Sequence, residues 1–332
     1  MSSTLMEQEA KQTPQVIEQQ LIKNQAVAQR IANQLNTIKP TNVMIIGRGS
    51  SDHAGVFGKY LIEIEAGIPV SSAAPSVSSV YNKQLKLAQS LVIVISQSGR
   101  SPDILAQAQM AKDAGAYCVA LVNDETSPLG EIVDDVMPLS AGAEISVAAT
   151  KSYLATLSAL LQLTAYWTNN QTLIEALNTL PSALQAIIDS PAQLTPESID
   201  GVKNLVVLGR GLGFAVSKEM ALKLKEVASI HAESFSSAEF LHGPVTLVEQ
   251  GLAIINCQVS DESLQSHQEQ VQEVTRRGAN VVDIKQLDNH IHPRIAPLVV
   301  LQRFYLDVAS VAVYRGFNPD EPKGLKKVTR TL

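Results

Sequence analysis

Cysteine is nearly missing from this sequence: Cys118 and Cys257 are the only two. They stand far apart in the apolar runs "AYCVALV" and "LAIINCQV", with no partner at metal-ligand spacing. Both read as buried small hydrophobes in a reducing compartment, not as a disulfide framework. A surplus of basic charge is missing too. Lysine and arginine number 26 against 32 aspartates and glutamates, for a net charge of −6. Nucleic acid is therefore not expected as a partner. The opening "MSSTLMEQEAKQTPQ" lacks the basic-then-apolar order of a signal peptide. No apolar run is expected to approach the ~18 residues of a membrane helix, so a cytoplasmic protein without a membrane partner is expected. Two phosphate signatures are absent as well. No Gly-Lys-Ser/Thr follows a glycine turn, and "GRGSSD" and "GRGLGF" lack the third glycine of a dinucleotide fingerprint. "HIHP", with His290 and His292, has no further ligand set, so no metal site is assigned.

What is present is core. Hydrophobic residues make up 45% of the 332 and charged residues 17%, which describes a globular chain long enough for two domains of roughly 150 residues each. Residues 6–35 are helical in pattern with one polar face. "NVMIIGRGSSDHAG" then reads as a buried strand, a glycine turn and a helix running to Ala66. "LVIVISQSGRSPDILAQAQMAKDAGAYCVALVND" continues as strand, hydroxyl loop, helix and strand, with Gly115 at a helix C-cap position. Lys151 to about Trp167 is a long apolar helix. Fully apolar strands alternating with helices predict an α/β fold whose parallel sheet is covered on both faces.

The pattern then restarts. "KNLVVLGRGLGFAVSKEMALKLKEVASI" aligns with "TNVMIIGRGSSDHAGVFGKYLIEIEAGI" as strand, Gly-Arg-Gly and helix. An internal duplication is the economical reading. Expected boundaries are an N-terminal helical segment 1–35, a first domain 36–170, a linker 171–200 and a second domain 201–332 with its tail. The linker is polar and contains Pro181, Pro191 and Pro196, and is expected to be partly helical. The copies diverge after the strands. The first has Ser50 and Ser51 where the second has Leu212 and Gly213, and "SQSGRS" is matched only by the degenerate "INCQVSDES".

In an open parallel sheet, ligands bind beyond the carboxyl ends of strands, where Ser96, Gln97, Ser98, Gly99 and Ser101 cluster. Ser101-Pro102-Asp103 resembles an N-cap, a proline at N1 and an acid in the first turn. A capped helix alone would explain one serine-rich turn. Ser51 on the neighbouring turn changes the balance, because two turns then converge on one crevice. Free N–H groups and the positive end of a helix dipole suit a phosphate without any lysine. A phosphorylated small molecule is the expected ligand.

In "SKEMALKLKEVASIHAESFSSAEFLHGP", Glu219, Lys223 and Glu226 fall at i, i+4 and i+7 on one helix face. An exposed salt-bridge row is the plain reading, worth a few tenths of a kcal/mol per pair. The helix follows the glycine turn of the second copy, which brings its first half to that domain's mouth. His242 precedes Gly243-Pro244 and is an acid/base candidate if it reaches a pocket. His231 reads as structural.

Together these residues resemble the tandem sugar-isomerase (SIS) domain family, and within it the isomerase half of glucosamine-6-phosphate synthases. The likeness runs over nearly the whole chain, through "GRGSS", "SQSGRS", "AGAEISVAATK", "LKLKEVASIHAESF", "EFLHGP" and "EPKGLKKVT". It implies two tandem SIS domains, each a five-stranded parallel sheet between helices in a flavodoxin-like three-layer sandwich. It also implies a homodimer. Ser51, Ser96, Gln97, Ser98 and Ser101 match sugar-phosphate binding positions. Glu226 matches the base that moves a proton between C1 and C2, and Lys223 its companion. His242 matches a ring-opening histidine that serves the neighbouring subunit's site. Lys327 matches a tail lysine that closes over the sugar and forms an imine with the open-chain ketose. Val147 matches a residue whose backbone contacts substrate. Ala149 stands where the synthases have a serine.

The sequence contains no glutaminase domain and no N-terminal cysteine nucleophile, so the chemistry is expected to run toward ammonia release. The expected activity is glucosamine-6-phosphate deamination: glucosamine 6-phosphate and water give fructose 6-phosphate and ammonia, without metal or organic cofactor. A fructosamine-6-phosphate deglycase, another amino-sugar-phosphate ketose/aldose isomerase, and a non-catalytic sugar-phosphate sensor are the alternatives. No DNA-binding segment is expected before residue 40, and the matches to base, histidine and tail lysine weigh against the sensor.

Overall fold

The computed structural model describes residues 3–325 and Lys327. Helices α1 (Leu5–Lys11) and α2 (Thr13–Ile38) open the chain. The single helical pattern expected over 6–35 is thus broken near Gln12. Pro14 has no N–H to offer the carbonyl of Ala10, and a proline ring inside a helix clashes with that carbonyl. Two side chains serve it instead, Thr13 Oγ1 at 2.7 Å and Gln302 Nε2 at 3.0 Å.

The first α/β run is β1 (Asn42–Ile46), α3 (Ser50–Ala66), β2 (Val70–Ser72), α4 (Pro75–Ser79), β3 (Ser90–Ser96), α5 (Pro102–Asp113), β4 (Tyr117–Val122), α6 (Pro128–Ile132) and β5 (Asp135–Pro138). The strands pair in parallel in the order β2-β1-β3-β4-β5. β3 is central and every residue of it is buried. Each Val, Leu or Ile withdrawn from water there contributes about 1.5–3 kcal/mol. Helices α7 (Lys151–Trp167) and α8 (Gln171–Ile188) follow. α8 fills much of the polar stretch between the two repeats.

The second run is β6 (Asn204–Gly209), α9 (Leu212–Ala228), β7 (His231–Ser236), α10 (Ser237–Phe240), β8 (Ala253–Gln258), α11 (Leu264–Arg276), β9 (Asn280–Lys285) and α12 (Ala296–Tyr314). Its sheet is also parallel, in the order β7-β6-β8-β9. This corrects the expectation of five strands in each domain: among the described residues the second sheet has four. Beyond β9, residues 286–295 carry Asp288, Asn289 and Pro293, which favour turns over strand. The chain therefore enters α12 without the pairing segment that β5 supplies in the first sheet. β9 is left as an edge strand with only Ile284 buried, whereas β4 is buried over five of its six residues.

Two compact units result. One comprises the chain up to Pro14, Glu144–Thr150 and Thr179–Leu325; the other comprises Gln15–Ala143 and Lys151–Asn178, to which Lys327 is also assigned. Contrary to the expectation that no run approaches membrane-helix length, α12 has 19 residues and is apolar enough to span a bilayer. It is a core helix here, buried inside the protein over most of its length. Arg303 and Asp307 form an ion pair at 2.7 Å within it. Cys118 and Cys257 are buried and free, and burial pushes the Cys118 thiol up to about 11.

The two repeats share their strand-to-helix turn. Gly49 and Gly211 adopt φ 54°, ψ −126° and φ 54°, ψ −127°. A Cβ on Gly47 would lie 2.7 Å from the backbone of Ser51, and one on Gly209 would lie 2.5 Å from the carbonyl oxygen of Gly213. The neighbour is backbone in each case, so the turn itself must give way. Gly47→Ala and Gly209→Ala are each expected to cost about 1–3 kcal/mol. The measurement is the urea midpoint followed by circular dichroism. Unchanged midpoints in both variants would show that the turns relax freely.

Candidate functional site

The order β2-β1-β3-β4-β5 places a topological switch point between β1 and β3, since the chain leaves β1 for one side and returns on the other. Ligands of open parallel sheets bind in such a crevice, at the carboxyl ends of the strands. Two hydroxyl-bearing turns stand there. Ser51 is half-buried in the first turn of α3, directly after β1. Ser96 ends β3 and is buried, with Gln97, Ser98 and Ser101 half-buried after it.

The hydroxyls are free to donate. Ser96 Oγ accepts the Gly99 N–H at 3.0 Å and Ser98 Oγ accepts the Arg100 N–H at 3.3 Å. Each hydroxyl used as an acceptor keeps its own proton to donate, which matches an acceptor-only phosphate. Ser101 occupies the N-cap position of α5, but its side chain makes no capping bond. Helix capping therefore does not account for that hydroxyl. Asp103, expected as a first-turn acid, is buried and paired with Arg48 at 2.9 Å. Arg100 is paired with Asp124 at 2.7 Å. Both nearby guanidinium groups thus have carboxylates, leaving hydroxyls, amides and the helix end to attract an anion. Gly99, at φ 62°, lies against Ser127: a Cβ there would stand 2.1 Å from Ser127 Oγ.

The second copy's crevice is built differently. The loop after β8 brings in Asp261, whose Oδ1 accepts from the backbone and hydroxyl of Ser263 at 2.8 and 2.5 Å. Its Oδ2 lies 3.4 Å from where a Cβ on Gly211 would be. Burial raises the pKa of Asp261. A carboxylate occupies the region that the first copy lines with neutral donors.

On α9, Glu219, Lys223 and Glu226 do not form the exposed row that their spacing suggested. Lys223 and Glu219 are 1% and 0% exposed, and the Glu226 side chain is 17% exposed. Lys223 Nζ lies 3.1 Å from Glu219 Oε1 and 2.5 Å from Glu226 Oε2. Tyr305 Oη, on α12, donates to Glu219 Oε1 at 3.5 Å. Burial works against the ammonium form of Lys223, but the two carboxylates outweigh it and hold its pKa above the ordinary lysine range. In the first copy the aligned positions are Phe57 and Leu61, both 0% exposed. The second copy has put an ion pair where the fold otherwise keeps hydrocarbon. Buried pairs contribute little net stability, so this is a group retained at some cost, with Glu226 as its solvent-reaching member.

His242 lies apart from this group. It is exposed in the loop after α10, its N–H donates to the Glu239 carbonyl at 2.9 Å, and among the described residues its ring has no hydrogen-bond partner. His231, expected to be structural, is exposed at the start of β7. Val147 and Ala149 are half-buried in the loop 144–150, and Lys327 is half-buried at a bend. Sequence reasoning passed over His267. It is buried between Ser237 Oγ (2.9 Å) and Asn256 Oδ1 (2.7 Å), and burial, with the Arg210 charge, depresses it to about 4. It is thus a neutral core histidine at physiological pH. An open cavity of about 680 Å³ flanked by Asn256, Gln272 and Asp283 contains none of the residues singled out from the sequence.

The profile of the SIS domain family matches residues 25–166 and 198–294. The glutamine–fructose-6-phosphate aminotransferase (isomerizing) of Bacillus licheniformis is 34% identical over 304 residues, covering 86% of this chain; the chain spans 50% of that protein's length. A solved structure from Silicibacter pomeroyi, classed provisionally as a phosphosugar isomerase, superposes with a TM-score of 0.89 at 36% identity. It covers 96% of this chain and 100% of that one. The C-terminal domain of glucosamine-fructose-6-phosphate aminotransferase from Francisella tularensis gives a TM-score of 0.84 at 26% identity, over 97% and 99% of the two chains. With two matched segments, one on each repeat, the chain belongs to the SIS domain family as a tandem SIS protein.

Proposed function

We propose that this protein is an amino-sugar-phosphate ketose/aldose isomerase acting on 6-phosphorylated hexoses. The observation that carries this reading is the Glu219–Lys223–Glu226 group, whose two buried members, Glu219 and Lys223, stand where the first copy has Phe57 and Leu61. A half-buried carboxylate beside a fixed ammonium suits proton transfer at a carbon next to a carbonyl. The hydroxyl turns after β1 and β3 suit the phosphate. In the proposed division of labour, Ser51, Ser96, Gln97, Ser98 and Ser101 bind the phosphate, and Glu226 takes the proton from C2 and returns it to C1. Lys223 holds Glu226 in place. The resemblance adds His242 for ring opening, in a homodimer where it serves the partner subunit, and Lys327 for an imine with the open-chain ketose. It also adds Val147 and Ala149 at the sugar. The names of the relatives, an isomerizing aminotransferase and a phosphosugar isomerase, support the same sugar-phosphate chemistry.

Deamination is the finer reading. Shifting the C2 proton of open-chain glucosamine 6-phosphate to C1 turns the C2–N bond into an imine. Water then releases ammonia and leaves fructose 6-phosphate. Isomerisation and deamination thus share their first step and differ in whether nitrogen leaves.

The shared step is read by incubating purified protein with fructose 6-phosphate in D₂O and following deuterium at C1 by NMR. Wild type should catalyse exchange, and Glu226→Gln should lower it by about 10²–10⁴-fold while sugar-phosphate binding persists. Ammonia release from glucosamine 6-phosphate separates deaminase from isomerase. Binding without exchange or turnover of any 6-phosphorylated sugar would favour the sensor and end the enzymatic reading.

Two further outcomes are expected. Lys223→Met leaves Glu219 buried without its cation and should cost about 3–5 kcal/mol of stability. The double change Glu219→Phe with Lys223→Leu, copying the first repeat, should recover most of that stability yet abolish turnover. Gly99→Ala should weaken fructose 6-phosphate binding measured by calorimetry, by about tenfold, a 1.4 kcal/mol loss. An unchanged affinity would remove the hydroxyl loop from the site.

A further inference from the structure

Both ends of the described chain converge on the loop 144–150. Ile145 is 68% exposed, while Glu144, Ser146, Ala148 and Thr150 are buried. Three successive backbone donors are tied down around the exposed residue. The N–H of Ile145 donates to Glu9 Oε1, and the N–H of Ser146 to Glu9 Oε2 at 3.1 Å. The N–H of Val147 donates to the Asp320 carbonyl at 3.0 Å. Glu9 itself is 5% exposed, a carboxylate withdrawn from water to face two amides. The same Asp320 secures the helix that carries Glu9: its carboxylate accepts from Leu5 N at 2.9 Å and Met6 N at 2.8 Å, at the start of α1. α1 is anchored at its other end by Gln302 of α12, which donates to Ala10. Loop, first helix and the segment at Asp320 form one hydrogen-bonded assembly, although Glu9 and Asp320 stand more than 300 residues apart in sequence.

We propose that Glu9 and Asp320 are positioning residues that hold the loop 144–150 in a fixed backbone conformation, so that Val147 and Ala149 are presented in a set geometry. The benefit to substrate rests on the isomerase reading above, in which that loop meets the sugar; the clamp does not. Hydrogen bonds to an ionised acceptor are the strong ones. Substituting glutamine keeps the shape of Glu9 but replaces one oxygen by a donor. That donor would oppose one of the two loop amides, leaving it unsatisfied.

The test uses the full chain with Glu9→Gln and Asp320→Asn, with hydrogen exchange read by mass spectrometry and kinetics read as deuterium exchange at C1 of fructose 6-phosphate. Glu9→Gln should speed exchange at Ile145 and Ser146 by at least tenfold while β6 and β8 stay protected. It should also raise KM by about tenfold with a smaller change in kcat. Should Glu9→Gln lose protection in β6 and β8, so that it has not folded, Asp320→Asn carries the test. It should loosen α1 and speed exchange at Val147 by a smaller factor. Unchanged exchange in the folded variants overturns the clamp. Faster exchange with unaltered KM and kcat overturns its positioning role. A wild type that turns over no sugar phosphate would defeat the proposed activity, and the exchange data would still decide the clamp.

Discussion

An ammonium held dry between two carboxylates is the constraint around which the second repeat is organised. Lys223 loses its hydration on burial, and only the close oxygens of Glu219 and Glu226 make that tolerable. Each partner then limits the others. Glu219 has no solvent of its own and takes the hydroxyl of Tyr305 as well, so α12 has to pack directly on α9. Removing Lys223 strands the buried charge of Glu219, whereas Phe and Leu at the aligned sites of the first repeat have no such dependence. The position of Glu226, the member that reaches solvent, is thus set by the buried lysine behind it.

The same duplication sets the two crevices against each other. Both repeats keep the Gly-Arg-Gly turn in one backbone conformation, so both begin with the same crevice at the switch point of a parallel sheet. What fills it differs in sign. The first repeat lines it with hydroxyls whose protons are uncommitted, and its arginines already face Asp103 and Asp124. The second brings Asp261 to the corresponding place, where a phosphate would meet a carboxylate. In a protein of net charge −6, this local neutrality matters more than any overall field. Coulomb repulsion from one carboxylate a few ångströms away exceeds that of many screened surface charges.

Much of this could be read from the sequence, and the failures have physical causes. The strands of the first sheet announced themselves because a strand buried on both faces is an unbroken apolar run. The glycine turns did so because backbone approach admits no other residue. The family resemblance implies a fifth strand that the second sheet lacks among the described residues: Asp288, Asn289 and Pro293 after β9 argue for turns. The length of α12 was missed because Arg303 and Asp307 interrupt its apolar run in sequence but neutralise one another in the helix. Spacing of i, i+4 and i+7 placed Glu219, Lys223 and Glu226 on one face but cannot say whether that face is wet or dry. For Glu219 and Lys223 the signal was available in the alignment of the repeats, where Phe57 and Leu61 mark those two positions as core. Ser101 was rightly placed at a helix start, but occupancy of a cap position does not fix where its hydroxyl points.

Glu9 and Asp320 left no trace of their role in the sequence, because hydrogen bonds between side chains and distant backbone amides have no periodicity. Their arrangement nonetheless follows from a simple requirement. Ser146 and Ala148 are buried beside the exposed Ile145, so the loop's backbone donors need acceptors of fixed position. Water would satisfy them without fixing anything. A carboxylate on a short helix satisfies two at once, and does so rigidly only if the helix is itself secured. α1 has seven residues, too few to be stable alone. The Asp320 carboxylate at its start and Gln302 at its end supply that security from segments near the other end of the chain. The order of the loop therefore depends on chain closure: the first helix is held by the last one, and the loop is held by the first helix.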